Sequence, residues 1–206
     1  MRVRKMSGAF LAGLLATAGA TMAVDHPNQI EGNVGWYQPS DLELELHVGP
    51  AVRTENVNYQ STLTWGARYG YRFSDMWGVG ASWTHVDMDA ASSDANRIQC
   101  STCQFNADFY DFDGEWYIGG GDWSLYAGVG WLTTNFKISI PGDSNDRAFS
   151  DDTFTWNVGG AYTWRIGSNF YLRPDLRVRF LQLDKKGRGK YDSEDPEFKL
   201  GAGWMF

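Results

Sequence analysis

The last nine residues, Phe198 to Phe206, read FKLGAGWMF, and their alternation is the tightest constraint in the chain. Phe198, Leu200, Ala202, Trp204 and Phe206 occupy every second position, with Lys199, Gly201, Gly203 and Met205 between them. Successive side chains of a strand point to opposite faces, so a period of two held this long specifies a strand with one greasy face.

The same rhythm recurs upstream. In 42–52, LELELHVGPAV, the residues Leu42, Leu44, Leu46, Val48 and Val52 oppose Glu43, Glu45, His47, Gly49 and Ala51. A helix would distribute those glutamates all round its axis, so this segment reads as the first strand. Alternation predicts further strands near 59–73, 76–86, 106–118, 123–136, 153–166 and 170–183, with the closing stretch as the eighth. Short connections near 74–75, 119–122 and 167–169 alternate with long ones near 53–58, 87–105, 137–152 and 184–195. Gly119-Gly120-Gly121 suits a tight turn that needs positive φ. Residues 24–40, with Pro27, Gly32, Gly35 and Pro39, read as an irregular lead-in ahead of the domain at 41–206. Pro174 falls in the middle of a strand and cannot donate to a ladder, so a bulge or an unpaired position is expected there.

The N-terminus carries a different signal. Arg2, Arg4 and Lys5 precede the uncharged run AFLAGLLATAGA from Ala9 to Ala20, and small residues follow. Residues 1–23 read as a secretory signal cut after Ala23, or after Ala20. The apolar run is short for the ~20 residues of a membrane helix. Without residues 1–23 the chain has 15 Lys+Arg against 25 Asp+Glu, a net charge of −10, which argues against nucleic acid as a partner. Yet aromatic residues make up 16% of the sequence, with ten Trp. A membrane surface built from every second residue of a set of strands reconciles the two facts.

Eight antiparallel strands can close with the apolar face inside, as in soluble ligand-binding barrels, or outside, as in membrane barrels. Residue size decides between them. An eight-stranded barrel encloses just enough room for side chains. The Trp-rich face is too bulky to fill it, whereas the face of glycines and charges fits. That face carries Glu43, Glu45, Arg68, Arg72, Asp111, Asp113, Glu115, Arg173, Asp175, Arg177 and Arg179, together with Arg165, Glu197 and Lys199. Ions taken out of water must pair, so an Arg–carboxylate network built on bidentate guanidinium forks is expected to plug the lumen. Exchange of partners within it would instead make a gate. Trp77, Trp123, Trp164 and Phe206 then lie at the bilayer interfaces.

WSLYAGVGW (123–131), FYLRPDLRVRF (170–180) and FKLGAGWMF, in this order and spacing, resemble the OmpA-like eight-stranded outer-membrane β-barrel family over about 41–206. The resemblance implies an all-β, eight-stranded antiparallel up-and-down transmembrane β-barrel in the Gram-negative outer membrane. Short periplasmic turns, longer extracellular loops and periplasmic termini go with it. It also implies that the barrel assembly machinery reads the closing strand, with Trp204 and Phe206 as its signal. Larger members add a peptidoglycan-binding domain, a role the barrel alone does not carry. Some small barrels of this kind modify lipid A with a His and a Ser. Of His26, His47 and His85, only His85 has neighbours such as Ser82 and Thr84, and period two turns it toward lipid. No catalytic residue is therefore assigned and no enzyme is expected.

Cys100 and Cys103, in QCSTCQ, lie in a long connection. An exported chain meets an oxidising compartment, so a local disulfide is favoured over a redox or zinc pair. The acidic connections, with Asp87, Asp89, Asp94, Asp143, Asp146, Asp151 and Asp152, match no calcium-loop spacing, and neither a metal nor a cofactor is expected. The expected partners are outer-membrane lipid, lipopolysaccharide and an extracellular ligand held by the loops, around a monomer. The expected role is structural or surface-interacting, with a small passive, porin-like pore as the alternative and a lipid A-modifying enzyme as the second. Thiol titration of the denatured protein should find no free thiol; two would contradict the Cys100–Cys103 bond.

Overall fold

The computed structural model describes residues 26–40, 42–48, 51–57, 61–89, 102–139, 147–185 and 189–206. The strands are β1 (Asn28–Tyr37), β2 (Leu42–Val48), β3 (Ala51–Val57), β4 (Thr62–Arg72), β5 (Trp77–Asp89), β6 (Thr102–Tyr117), β7 (Trp123–Ser139), β8 (Arg147–Tyr162), β9 (Trp164–Ile166), β10 (Phe170–Lys185) and β11 (Gly189–Met205). The main sheet runs β11-β1-β4-β5-β6-β7-β8-β10, and β11 also pairs with β10, so it closes on itself. β9 continues β8 past Thr163 along the same neighbour, β10. The result is the expected eight-stranded antiparallel barrel. Asn28 and Phe206 exchange backbone hydrogen bonds of 3.0 Å and join the start of β1 to the end of β11 beside the short turns. The expected signal segment lies outside the described residues.

The first strand is not the one the alternation favoured. β1 pairs with β11 from Gln29↔Met205 to Tyr37↔Glu197, and with β4 on its other side. The expected lead-in therefore contains a barrel strand. Among the described residues LELELHV, as β2, pairs only with β3, in a separate two-stranded sheet. Alternation identifies a strand but not the sheet it joins. NQIEGNVGWY also alternates, but Gly32 and Gly35 leave one gap on each of its faces and weaken the pattern.

Gly119, Gly120 and Gly167 adopt φ of 60°, 72° and 75° in the short turns, where side chains are disfavoured. Pro174 meets no bulge. The ladder on β10 stops at Leu172↔Trp164 and resumes at Asp175↔Ala161, so the proline falls in a gap without a register shift. Beside the gap, the Thr163 N–H donates away from β10, to the Asp122 carbonyl on the β7 side at 2.9 Å.

The tryptophans face outward, while Tyr37, Phe109, Tyr117, Tyr126 and Tyr171 are buried inside. Trp83, Tyr110, Trp131 and Phe154 are cross-strand neighbours in one row over β5 to β8. Above that row the outward positions turn polar with Asp87, Asp108 and Thr133. Trp77, Trp116, Trp123, Trp164, Trp204 and Phe206 form the opposite girdle beside the short turns, all exposed on the outer wall. From Trp123 to Trp131 the strand rises roughly 26 Å along its own axis, which tilt reduces to roughly 20 Å across the membrane.

Inward glycines act as sockets for the long side chains beside them. A Cβ on Gly130 would lie 2.5 Å from Asp111, and one on Gly201 would lie 2.2 Å from Glu31. At Gly159 it would lie 2.3 Å from the Tyr126 hydroxyl and 2.4 Å from the Leu176 carbonyl. Outward Gly114 has only the Ala127 carbonyl, at 3.9 Å. Gly159→Ala should destabilise the barrel by about 1–3 kcal/mol, as overpacking does, while Gly114→Ala stays within about 0.5 kcal/mol. Urea midpoints of the refolded protein in detergent, read by heat-modifiable gel mobility, check both.

Candidate functional site

The lumen is filled by side chains that the two-residue period of β1, β4, β6, β10 and β11 turns inward. Among the described residues, the buried charged groups are six cations (Arg68, Arg72, Arg173, Arg177, Arg179 and Lys199) and seven acids (Glu31, Asp111, Asp113, Glu115, Asp175, Asp195 and Glu197). The near balance matters, because an unpaired ion buried in low dielectric costs several kcal/mol.

The network is ordered along the axis. Nearest the short turns, Arg72 donates to the carbonyls of Ser74 (3.3 Å), Asp75 and Gly120 (2.8 Å), with its guanidinium 4.0 Å from the Tyr117 ring. One step deeper, Arg68 pairs with Glu115 and donates to Gln29 at 3.3 Å. Glu115 also accepts the Tyr117 hydroxyl at 2.8 Å. Arg173 lies 3.5 Å from Glu115 and 3.6 Å from Asp175, and Asp175 accepts the Tyr126 hydroxyl.

The centre is a crossing between opposite walls. Arg177 on β10 reaches Asp111 at 2.6 Å and Asp113 at 2.9 Å on β6, and its Nε donates to the Tyr126 oxygen at 3.2 Å. Arg179 spans two carboxylates: Nη1 lies 2.7 Å from Asp111 Oδ1, while Nε and Nη2 lie 3.1 and 2.9 Å from Glu197 Oε2. Lys199 is 3.5 Å from both Glu197 and the Thr84 hydroxyl.

Above the ions the lumen becomes apolar. Tyr37, Val86, Ala107, Phe109, Leu132 and Leu181 form one buried cluster. The Arg179 guanidinium lies 4.1 Å from the Phe109 ring, and the Tyr37 hydroxyl donates to Asp195. The plug therefore has two tiers, ions below and an apolar stopper toward the long connections.

Several expectations need correction. Glu43 and Glu45 are on β2, which among the described residues pairs only with β3, outside the closed sheet. Glu31 holds the inward carboxylate position on the true first strand. Arg72 is inward, but its partners are turn carbonyls and not a carboxylate, because it sits at the rim where the strands end. Arg165, counted on the inner face, is half exposed and pairs with Asp122 at 3.1 Å, because the chain has reached the turn there. Arg68, Asp111, Asp113, Glu115, Arg173, Asp175, Arg177 and Arg179 do come together. Glu31, Tyr126 and the stopper were missed. Their signal was the inward parity of Tyr37, Phe109 and Leu132, which charge-led reading of that face overlooks. Cys100 lies outside the described residues, as does the side chain of Cys103.

His85 sits outward beyond Trp83. Its Nδ1 is 2.8 Å from Asp108 and its Nε2 3.2 Å from Asp87, so both ring nitrogens face carboxylates. The Trp83 indole N–H also donates to Asp108, at 3.0 Å.

Arg177 is the sole ion-pair partner of Asp113 among the described residues. Arg177→Ala should cost about 3–5 kcal/mol by leaving buried carboxylates uncompensated, and adding Asp113→Ala should return part of that loss. A double-mutant cycle on urea midpoints measures the coupling; strict additivity would contradict it.

The sequence model described as "Outer membrane protein beta-barrel domain" matches residues 8–206. No curated protein matches the chain in a sequence search. Among solved structures, OprG of Pseudomonas aeruginosa aligns with a TM-score of 0.57 at 14% identity, covering 87% of this chain and 95% of that one. A major outer membrane protein of Thermus thermophilus gives 0.54 at 13%, covering 88% and 100%. Ail, the attachment invasion locus protein of Yersinia pestis, gives 0.53 at 16%, covering 87% and 99%. At these identities the likeness concerns the fold alone. This closed eight-stranded barrel, with its tryptophans outward and its ions inward and matched by the family's sequence model over nearly its whole length, belongs to the outer membrane protein β-barrel domain family.

Proposed function

We propose that this chain is a sealed structural barrel of the outer membrane that presents its long hairpins at the cell surface. The observation that carries the reading is the double closure of the lumen. Ion pairs cross it from β6 to β10, and an apolar stopper lies above them. A hydrated ion would have to break several of these bonds and then cross an apolar layer. The hairpins support a surface role: β6–β7 pairing continues to Thr102↔Ser139 and β10–β11 pairing to Lys185↔Gly189, well past the outer aromatic row. Lipopolysaccharide and an extracellular ligand are the partners such hairpins would meet. Trp204 and Phe206, both outward on the closing strand, suit a signal for the barrel assembly machinery. Catalysis at His85 is disfavoured because both of its nitrogens are engaged by carboxylates.

The purified barrel in planar lipid bilayers should give no resolved conductance steps, and Arg177→Ala should give none while the stopper remains. Discrete channel events in the wild type would establish the pore reading instead.

A further inference from the structure

Past the outer aromatic row, at the end of the barrel that carries the long connections, His85 joins β5 to β6. It is the next outward residue of β5 after Trp83, and its side chain is only 19% exposed. Its Nδ1 lies 2.8 Å from Asp108 Oδ1 on β6, and its Nε2 lies 3.2 Å from Asp87 Oδ1 on its own strand. An ionised carboxylate only accepts, and a neutral imidazole has only one N–H. Both contacts are hydrogen bonds at once only when the ring carries two protons and a positive charge. Asp108 Oδ1 also accepts the Trp83 indole N–H at 3.0 Å, which fixes that carboxylate as an acceptor. Among the described residues, β4 presents Leu63 and Trp65 on this face and no charged group, with the Trp65 ring 5.2 Å from the His85 ring. The Tyr110 phenol on β6 lies one outward position below Asp108. Partial burial disfavours the charged ring, but the bond to Asp108 and the charges of Asp87 and Asp108 outweigh it and hold the His85 pKa above the ordinary imidazole range.

The strand ends held in this way form one wall of the apolar stopper. The rung after His85↔Asp108 is Val86↔Ala107, and both of those residues point inward and belong to the stopper. The pairing continues to Asp89↔Gln104. Trp83 and His85 tie the two strands through their side chains, both on the same Asp108 oxygen. We propose that His85 is a proton-operated clasp: with two protons it locks the outer end of β5 to β6 behind the stopper, and with one it lets that end loosen. The sign follows from the contacts. The hold is complete below the ordinary imidazole value of about 6.5. It is lost as pH rises through the higher value of the closed state, because a ring lone pair then faces one of the two carboxylates.

The test is a pH series on the folded barrel in nanodiscs. The His85 ring is followed by NMR, and backbone protection is read by hydrogen exchange corrected for its intrinsic pH dependence. The ring should titrate above about 6.5. Across that titration, protection over 85–89 and 104–108 should fall about tenfold, the scale of one hydrogen bond to a charged group. Protection across the β8–β10 ladder should stay constant. His85→Gln should flatten the pH dependence over 85–89 and 104–108, and Asp108→Asn should lower the midpoint of the ring. Gel mobility confirms that each variant has folded, and the wild-type series carries the test if a variant does not. A ring that titrates at or below the ordinary value, protection that does not follow the ring, or an equal loss across β8 and β10 would each overturn the proposal.

Discussion

Hydrocarbon offers no hydrogen-bond partner to a peptide group, so a sheet that crosses a membrane has to close. Closure here depends on β11 finding β10 on one side and β1 on the other. The rest follows from the small circumference that eight strands allow. The interior is too narrow for ten tryptophans and too narrow to stay wet. The tryptophans therefore go out to lipid, and the inside is filled by glycines, long polar side chains and a few phenol and phenyl rings packed among them. Inward glycines such as Gly130, Gly159 and Gly201 are where a neighbour's carboxylate or phenol lies.

Charges packed this closely are tolerable only as pairs. The cross-lumen bonds from β10 to β6 join residues more than sixty positions apart, which ties strands that share no ladder. They also fix register. A one-residue slip of β10 would turn Arg173, Arg177 and Arg179 toward acyl chains and strand Asp111 and Asp113 on β6, while Glu115 would keep Arg68. The ion network thus specifies the barrel's alignment as well as its closure. The apolar stopper serves a different end: apart from the Tyr37 hydroxyl, which Asp195 accepts, it is made of hydrocarbon, and it interrupts the polar path that a chain of exchanging ion pairs would offer.

Most of this architecture was legible because period two reports a face directly. Strands from 59–73 onward, the inward arginines of FYLRPDLRVRF and the acids of FYDFDGEWY were readable from parity alone. The first strand was not. LELELHV alternates more strongly than NQIEGNVGWY, yet the choice of partner strand depends on closure geometry, which one segment's pattern does not encode. The count of eight survived because one strand was wrongly included and one wrongly left out. Glu43 and Glu45 entered the network, and Glu31 stayed out of it, for that reason. The stopper was hidden differently. Tyr37, Phe109, Leu132 and Leu181 have inward parity, but a face classified by its charges conceals the apolar residues at its end. Arg72 and Arg165 show the same limit at the rim, where strands end and a parity argument loses its reference.

The division between rings outside and ions inside is open to direct measurement by magnetisation transfer in nanodiscs. Protons of the lipid acyl chains should transfer to the indole rings of Trp65, Trp83, Trp131, Trp156 and Trp204, and not to the guanidinium groups of Arg177 and Arg179. Transfer from acyl chains to those guanidinium groups, with the indoles shielded from lipid, would contradict the arrangement.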